Sequence, residues 1–311
     1  MISGVINVYK EAGFTSHDVV AKLRGILHQK KIGHTGTLDP DAVGVLPVCL
    51  GKATKLVETL ATGAKTYETV LLLGCETDTQ DVSGEVIAEK TVTCTEEDVR
   101  SCLGGFLGEQ EQIPPMYSAK KQNGKRLYQL AREGVVVERK PTRIRIDELE
   151  MLSCELPRVR MRITCSKGTY IRTLCHDIGQ KLGCGGCMEQ LVRTRVGGFA
   201  VEDAVTLDEI RAKMDSGRLS EILMAPDFFF MKLPAVQAAP RADRLLHNGN
   251  PLPYNSSSAS KLPGNQEQDS GIKTDVSEIR VYDSVGIFMG VYTLRESDGM
   301  YYPELFFYET N

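Results

Sequence analysis

Two stretches of the chain alternate apolar and polar residues with a period of two. They cover residues 143–152 and 159–165. Alternate side chains of a β-strand point to opposite faces, so this period predicts a strand with one buried face for each stretch. We expect the two strands to pair, which requires the fold to contain a sheet built around them.

The other patterns mix strands and helices without the regular spacing of βαβ units. Strands are predicted near 4–9, 67–73, 84–89 and 191–195, and helices near 16–30, 53–61, 95–103, 125–133 and 170–182. Ser16 can cap the first of these helices, and Thr95, which precedes several acidic residues, can cap the third. This mixture indicates an α+β fold with a largely antiparallel mixed sheet.

The last part of the chain has a composition of its own. Residues 252–277 are rich in Ser, Asn, Gly and Pro, which is typical of a flexible insertion or linker. The alternating stretch at 278–294 then predicts a hairpin that turns at Asp283. We therefore expect a large domain over residues 1–232 and a small β-rich module over 233–311 that contains the insertion.

The net charge of −4 conceals a segregation of charge along the chain. Residues 119–145 carry nine Lys or Arg against two Glu, and residues 158–172 carry five against no acidic residue. Such basic segments can follow a phosphate backbone, or they can simply form a solvated face. Both interpretations stay open at this point.

No apolar run is long enough to span a bilayer, and the N-terminus lacks the layout of a signal peptide. Nine scattered cysteines favour reduced thiols, so we expect a cytoplasmic protein with no membrane contact. Cys184 and Cys187 form one C-x-x-C, with Cys175 and His176 upstream. A structural zinc site needs a second such pair, which the chain lacks, so small buried or loop cysteines are favoured over a metal.

The stretch from 31 to 55, KIGHTGTLDPDAVGVLPVCLGKATK, surrounds Asp39 with glycine, threonine, proline and small apolar residues. Pro40 disfavours the helical conformation for Asp39, and the nearby glycines permit close approach of another molecule. One interpretation is a tight turn with a capping aspartate. The other is a reactive carboxylate in an apolar loop.

Other chemistries find little support. Gly51 and Lys52 resemble the end of a phosphate-binding loop, but Gly44 lies too far upstream and Ala53 replaces the Ser or Thr that would hold magnesium. The five histidines show neither metal spacing nor a partner serine motif. An NTPase is therefore rejected, and zinc hydrolysis and catalytic-triad chemistry are unsupported.

Four blocks of the sequence resemble the bacterial TruB-type family of tRNA pseudouridine-55 synthases. They are GVINVYKEAGFTSHDVV at 4–20, GHTGTLDPDAVGVLP within 31–55, KTY at 65–67 and KGTYIR at 167–172. The first block departs from the family pattern, because Tyr9 and Glu11 replace its usual aspartate and proline. The resemblance implies a pseudouridine-synthase catalytic domain followed by a PUA-like RNA-binding module.

The resemblance also implies roles for individual residues. Asp39 would be the catalytic carboxylate, Arg172 its charge partner, and Tyr67 the ring that stacks on the flipped base. The substrate-binding positions would be His34, Tyr67, Tyr170, Leu191 and Lys10. His34 would enter the gap left by the base. Asp41 is a competing carboxylate, but it falls at a variable position of the signature, so we expect it to be solvated.

The activity implied is isomerisation of uridine 55 in the T-loop of tRNA, with base flipping. Because this isomerisation involves no redox step, no cofactor or metal is expected. The aspartate could attack C1′ of the sugar, attack C6 of the base or assist elimination. The partner would be the tRNA T-stem-loop, bound by a monomer that requires no protein partner.

Two other hypotheses remain. An RNA-binding or RNA-folding module without turnover would also use basic segments and a PUA-like end, although Asp39, Tyr67 and Arg172 speak against it. A synthase directed by a guide RNA and protein partners would share the catalytic blocks. The stand-alone bacterial layout, without long basic tails, speaks against that hypothesis.

Overall fold

The computed structural model describes residues 1–118, 120–122, 124–253 and 277–308. The insertion predicted at 252–277 lies, apart from its first two residues and its last, outside the described residues. Among the residues described, no helix combines the length and apolar character needed to cross a membrane.

The strands form a large sheet, a smaller C-terminal sheet and two short hairpins. In chain order they are Gly4–Lys10 (β1), Ile32–His34 (β2), Val43–Leu50 (β3), Lys65–Leu73 (β4), Cys75–Thr77 (β5), Val86–Glu89 (β6), Gly108–Gln112 (β7), Lys121–Gln122 (β8), Lys125–Arg126 (β9), Thr142–Glu155 (β10), Arg158–Cys165 (β11), Gly186–Val196 (β12), Phe199–Ala200 (β13), Ala235–Gln237 (β14), Leu252–Pro253 (β15), Glu278–Tyr282 (β16), Phe288–Arg295 (β17) and Met300–Phe306 (β18).

The large sheet has the order β1-β3-β12-β4-β11-β10-β7, with β2 beside β3 and β13 beside β12. Its pairs are antiparallel except for β12 with β3, so the predicted mixed, largely antiparallel sheet is confirmed. The two alternating stretches form β10 and β11, which pair with Leu149 opposite Ile163 and Met151 opposite Met161.

The α-helices are Ser16–Ile26 (α1), Val57–Ala61 (α2), Glu96–Gly104 (α3), Leu127–Arg132 (α4), Ile171–Lys181 (α5), Leu207–Asp215 (α6) and Asp243–His247 (α7). The predicted cap of α1 was wrong by one residue. Thr15 is the N-cap, because its hydroxyl accepts from the Asp18 amide while the Asp18 carboxylate accepts from the Thr15 amide. Ser16 therefore lies inside the first turn, where its hydroxyl is free for a different contact.

Helices pack on the large sheet at both of its ends. On one face, α3 and α5 pack on β4, β11 and β12 around residues such as Leu71, Met161 and Leu174. At the other end of the sheet, α1 and α6 pack on β1 and β3 around Ile6 and Leu23. Tyr67 and Leu191 belong to the first of these cores. The sheet thus places them on the face that α5 covers.

The C-terminal sheet has the order β14-β16-β17-β18-β15, and the predicted hairpin is its β16–β17 pair. The sheet matches the PUA-like module that the sequence implied. Its last strand is followed by Phe307, which packs with Val5 and Val45 of the large sheet. Lys55, which follows β3, also links the two sheets, because its Nζ donates to the carbonyl oxygen of Phe306 at 2.6 Å. The boundary between residues 232 and 233 stays a prediction.

Candidate active site

The loop that carries Asp39 joins β2 to β3 and is fixed by residues from the N-terminus of the chain. The Leu38 amide donates to the hydroxyl of Ser16 at 2.9 Å. This hydroxyl is available for the bond because Thr15, and not Ser16, caps α1. The carbonyl of Pro40 accepts from the Gly13 amide at 3.0 Å and from Nζ of Lys10 at 2.9 Å. The main chain on both sides of Asp39 is therefore held in place.

Lys10 is fully buried, and its ammonium group donates to the carbonyl oxygens of Glu11, Phe14 and Pro40 at 2.7–2.9 Å. Burial lowers the pKa of Lys10 to about 8. Since all three of its protons are used inside the protein, this geometry makes Lys10 a residue that positions the loop. Its expected contact with substrate stays a prediction. Glu11 contributes only a carbonyl oxygen to this contact, so its departure from the family pattern leaves the lysine anchored.

Arg193 of β12 holds the other side of the loop. Its Nε donates to the Val45 carbonyl at 2.8 Å, and its terminal nitrogens donate to the carbonyls of Gly36 and Thr37 at 3.3 and 3.4 Å. The backbone of Arg193 lies so close to β3 that a Cβ on Gly44 would come within 2.2 Å of its carbonyl oxygen. Only glycine fits there, and its φ of +107° is also one that side chains disfavour.

Sequence reasoning missed Arg193, although a signal for it existed. Leu191 was expected to face the pocket, and the period of two places Arg193 on the same face of the strand. Arg193 is 1% exposed. A guanidinium buried to this extent must donate its protons within the fold, which makes it a structural or catalytic element rather than a surface charge.

Asp39 forms a bidentate ion pair with Arg172. Nε of Arg172 lies 2.9 Å from Oδ2 of Asp39, and its Nη2 donates to Oδ1 at 3.1 Å. Arg172 is the second residue of α5 and is 5% exposed, whereas 37% of the Asp39 side chain is exposed. The arginine is thus fixed inside the protein while the carboxylate remains open to a substrate.

Tyr170 immediately precedes α5 and is itself fixed through its main chain. The amide side chain of Gln112 accepts from the Tyr170 N–H at 2.8 Å and donates to the Tyr170 carbonyl at 3.0 Å. The tyrosine remains partly exposed. The sequence-predicted residues Tyr170 and Arg172 are therefore presented together by the first turn of α5.

Arg172 is also shared with a second carboxylate, which sequence reasoning missed. Its Nη1 lies 3.2 Å from Oδ2 of Asp81 and donates to the Thr79 carbonyl at 3.2 Å, while Nη2 donates to the Tyr117 carbonyl at 2.8 Å. Asp81 lies in a polar loop between β5 and β6 whose sequence, TDTQDVSG, gave no sign of a buried role. Burial raises the pKa of Asp39, Arg172 opposes that rise, and the negative charge of Asp81 adds to it.

Tyr67 and Leu191 form a wall of the site together with the loop. Tyr67 lies on β4 opposite Arg193, and its side chain packs in one apolar cluster with Leu38, Ala42 and Leu191. Burial raises the pKa of Tyr67, the positive charge of Arg193 opposes part of that rise, and the negative charge of Asp39 adds to it. The tyrosine is therefore a neutral phenol near the carboxylate.

The other loop residues lie at the edges of this arrangement. His34 ends β2, is partly buried and has its pKa lowered by burial, so its imidazole is neutral. Asp41 is exposed, as expected for the competing carboxylate. The structure thus brings Asp39, Tyr67, Arg172 and Leu191 together, places Tyr170 at the start of the helix that carries Arg172, and leaves His34 on the flank of the loop.

The basic segment at 158–172 proves to be largely neutralised. Arg158 pairs with Glu189 at 2.8 Å, and Arg160 and Arg162 both pair with Glu68 at 2.9 Å. These arginines lie on the exposed face of β11, where acidic residues of the neighbouring strands accompany them. Of the two interpretations of this segment, the solvated face fits its strand part.

Within the described parts of the chain, no group of His, Cys, Asp or Glu could hold a metal ion. The nine cysteines are free thiols, and Cys184 and Cys187 are buried. The C-x-x-C is therefore not part of a zinc site built from the described residues.

Known structures share this fold. The chain resembles a protein in the structure of an H/ACA RNP bound to a substrate RNA containing 2′-deoxyuridine, with a TM-score of 0.66 and 25% identity over 98% of this chain and 85% of that one. A protein of an archaeal box H/ACA sRNP gives a TM-score of 0.64 and 26% identity over 98% and 86%. The fold is that of a pseudouridine synthase.

Sequence comparison gives the family. The model of the TruB family pseudouridylate synthase N-terminal domain matches residues 24–171, and that of the tRNA pseudouridylate synthase B C-terminal domain matches 172–227. A tRNA pseudouridine synthase B of Lachnoclostridium phytofermentans is 48% identical over 97% of this chain and 98% of its own length. One of Burkholderia mallei is 42% identical over 97% and 96%. The chain belongs to the TruB family of pseudouridylate synthases, and it is an isomerase.

Proposed function

We propose that this enzyme isomerises uridine 55 in the T-loop of tRNA to pseudouridine, with Asp39 as its catalytic carboxylate and without a cofactor. The observation that carries the proposal is the bidentate Asp39–Arg172 pair, in which the arginine is buried and the carboxylate remains open. The names of the relatives support tRNA as the substrate.

The reaction breaks the N1–C1′ bond, turns the base and joins C5 to C1′, after which C5 loses a proton and N1 gains one. Atoms and electrons balance within the substrate, so the protein needs to supply only a carboxylate, a binding pocket and a route for the proton. Arg172 favours the ionised form of Asp39 and fixes its orientation. Attack at C1′, attack at C6 and elimination all begin from this carboxylate.

Tyr67 supplies the flat wall on which the flipped base stacks. Because burial raises its pKa, the phenol keeps its own proton and can donate it toward the base. A hydroxyl at this place is suited to proton exchange at C5. Leu191 and Tyr170 complete the pocket around the base.

A base inside the T-loop can reach a partly buried carboxylate only when it is flipped out of its stack. The gap that it leaves needs a flat side chain, and the neutral imidazole of His34 at the edge of the loop suits that position. Recognition by the shape of the RNA loop and by unstacked bases is usual for structured RNA.

The two predicted domains would have different roles. The catalytic domain would cover 1–232, and the PUA-like module at 233–311 would contact another part of the tRNA. We further propose that the enzyme acts as a monomer in the cytoplasm and needs no protein partner. The assembly partners in the H/ACA structures belong to those complexes.

The test is incubation of the purified protein alone with an unmodified tRNA transcript, followed by mapping of pseudouridine. We expect product at position 55, and none from the Asp39→Asn variant. Tight binding without product would instead support an RNA-binding module. Product that forms only after a guide RNA and partner proteins are added would support the guided synthase.

A further inference from the structure

Two buried cations lie beside Tyr67 and have no part in the chemistry proposed so far. Lys65 is 7% and Arg193 1% exposed. Lys65 donates to the main-chain carbonyls of Ala61 and Gly63 at 3.0 and 3.1 Å, and Arg193 donates to the carbonyls of the loop described above. Within the part of the chain that the structure describes, neither cation forms an ion pair with a carboxylate. Burial lowers the pKa of both side chains, as expected for positive charges without a counter-charge.

Both cations flank Tyr67 on one face of the sheet. Lys65 precedes Tyr67 by two residues on β4, so the two side chains point the same way, about 7 Å apart. Arg193 lies opposite Tyr67 on β12, and paired residues of neighbouring strands share a face. A Cβ on Gly36 would lie 3.7 Å from both Cε of Lys65 and Nη1 of Arg193, so the two cations also meet beneath the loop. Their charges therefore converge on the wall where the base is proposed to stack.

The proposed reaction moves negative charge toward this wall. If Asp39 attacks C1′ or assists elimination, N1 of the base leaves with the electron pair of the broken N1–C1′ bond. If Asp39 attacks C6, the electron pair of the C5–C6 double bond moves toward O4. Each route takes negative charge from the carboxylate, which Arg172 holds, and places it on the base, which Tyr67 would support. A positive charge fixed beside the base therefore favours the transition state over the ground state.

We propose that Lys65 and Arg193 stabilise the negative charge that develops on the base, by their own charge and without leaving their carbonyl partners. This inference rests on the proposed function. Because both cations are already removed from water, their field is weakly screened and no group has to reorient during the reaction. Both also hold main-chain segments, so a loss of activity alone would not distinguish their charge from their structural role.

The test compares tRNA that carries uridine at position 55 with tRNA that carries 5-fluorouridine there. Full-length enzyme is used at saturating RNA under single-turnover conditions, and disappearance of the starting nucleotide is measured. Fluorine withdraws electrons and stabilises the base anion, so the fluorinated substrate depends less on positive charge from the enzyme. We expect Lys65→Met to slow uridine conversion by about tenfold, the order expected for one buried charge at this distance. It should slow 5-fluorouridine conversion by a smaller factor and leave the half-saturating RNA concentration nearly unchanged.

Lys55→Met is the matched control, because Lys55 also donates to a main-chain carbonyl but is exposed. It should leave the ratio of the uridine rate to the 5-fluorouridine rate at the parental value. Arg193→Lys keeps the positive charge and should also retain this ratio, whereas Arg193→Met should lower it. This second pair of variants decides the question even if Lys65→Met does not fold, and circular dichroism checks the fold of each variant.

Two results would overturn the inference. Equal slowing of both substrates by Lys65→Met and Arg193→Met would show that the cations act only by holding the main chain. Uridine rates that stay at the parental value would show that their charge does not reach the base. A parent enzyme that leaves uridine 55 unchanged would instead refute the proposed function itself, so the two failures are distinguishable.

Discussion

The guanidinium of Arg172 meets both oxygens of the Asp39 carboxylate, at 2.9 and 3.1 Å. This geometry fixes the plane of the carboxylate as well as its charge, which a single contact would not do. Because the same arginine also serves Asp81, the position of the carboxylate depends on a segment far away in the sequence.

Asp39→Asn keeps the size of the side chain and removes its charge. We expect no detectable isomerisation, with tRNA affinity within about tenfold of the parent because binding rests mainly on backbone contacts. Product formation under single-turnover conditions and filter binding measure the two effects. Asp41→Asn is the control, since Asp41 is exposed and should leave turnover unchanged. Appreciable turnover by the asparagine variant at position 39 would remove Asp39 from its role.

Tyr67→Phe keeps the ring and removes the hydroxyl, whose pKa is raised by burial. We expect tRNA binding to persist and the rate at saturating tRNA to fall by about a hundredfold or more, the size of a typical proton-transfer contribution. Single-turnover rates measure the loss. If the variant is as fast as the parent, Tyr67 acts only by stacking.

Arg172→Lys retains a positive charge but cannot donate to both oxygens of Asp39 and to Asp81 at once. In the parent enzyme burial already raises the pKa of Asp39, so the activity should be lost on the acid side at a pH above the ordinary aspartate range. Arg172 lowers that pKa, so weakening its contact raises it further and moves the acid limb of kcat/KM to higher pH. Arg162→Lys, on the exposed face of β11, should leave the profile in place. An acid limb that stays unmoved in Arg172→Lys would separate this arginine from the ionisation of Asp39.

Salt dependence distinguishes the two basic segments. Arg160 forms an ion pair with Glu68. Arg126, in contrast, is exposed and lies in the segment that also carries Lys120 and Lys125. Arg126→Gln should reduce the slope of log affinity against log salt by about 1 if it contacts one phosphate. Arg160→Gln should leave the slope as it is. If the slope of log affinity against log salt is the same in both variants and the parent, the RNA binds to another surface.

Phe307→Ala tests the contact between the C-terminal sheet and the large sheet. Phe307 is 6% exposed and packs with Val5 and Phe230. Its truncation should lower the free energy of unfolding by about 3 kcal/mol, which is typical for a buried phenylalanine. Urea denaturation measures it, with Phe228→Ala as the exposed control. A loss as small as that of the control would show that the two sheets do not stabilise each other. Because of this contact, removing residues 240–311 would disturb the large sheet as well as RNA binding.

The sheet could be predicted where the alternation is clean, as in β10 and β11, because burial on one face leaves its period in the sequence. The cap of α1 could not be predicted from the sequence, because Thr15 and Ser16 are equally able to cap a helix. Only the contact of Ser16 with Leu38 decides between them. Asp39 and Arg172 were found through the family resemblance. Asp81 was missed because a polar loop residue gains its role only from a tertiary neighbour.

The loop that carries Asp39 is held almost entirely through its main chain. The side chains that hold it, Lys10, Ser16 and Arg193, bind carbonyl or amide groups of the loop and come from outside it. Its exposed side chains at Thr37 and Asp41 face solvent. Tolerance to substitution should therefore be high at these two loop positions and low at the three distant donors. In a mutational scan, the sensitive positions would then be the residues that hydrogen-bond to the loop, rather than the residues nearest to Asp39 in the sequence.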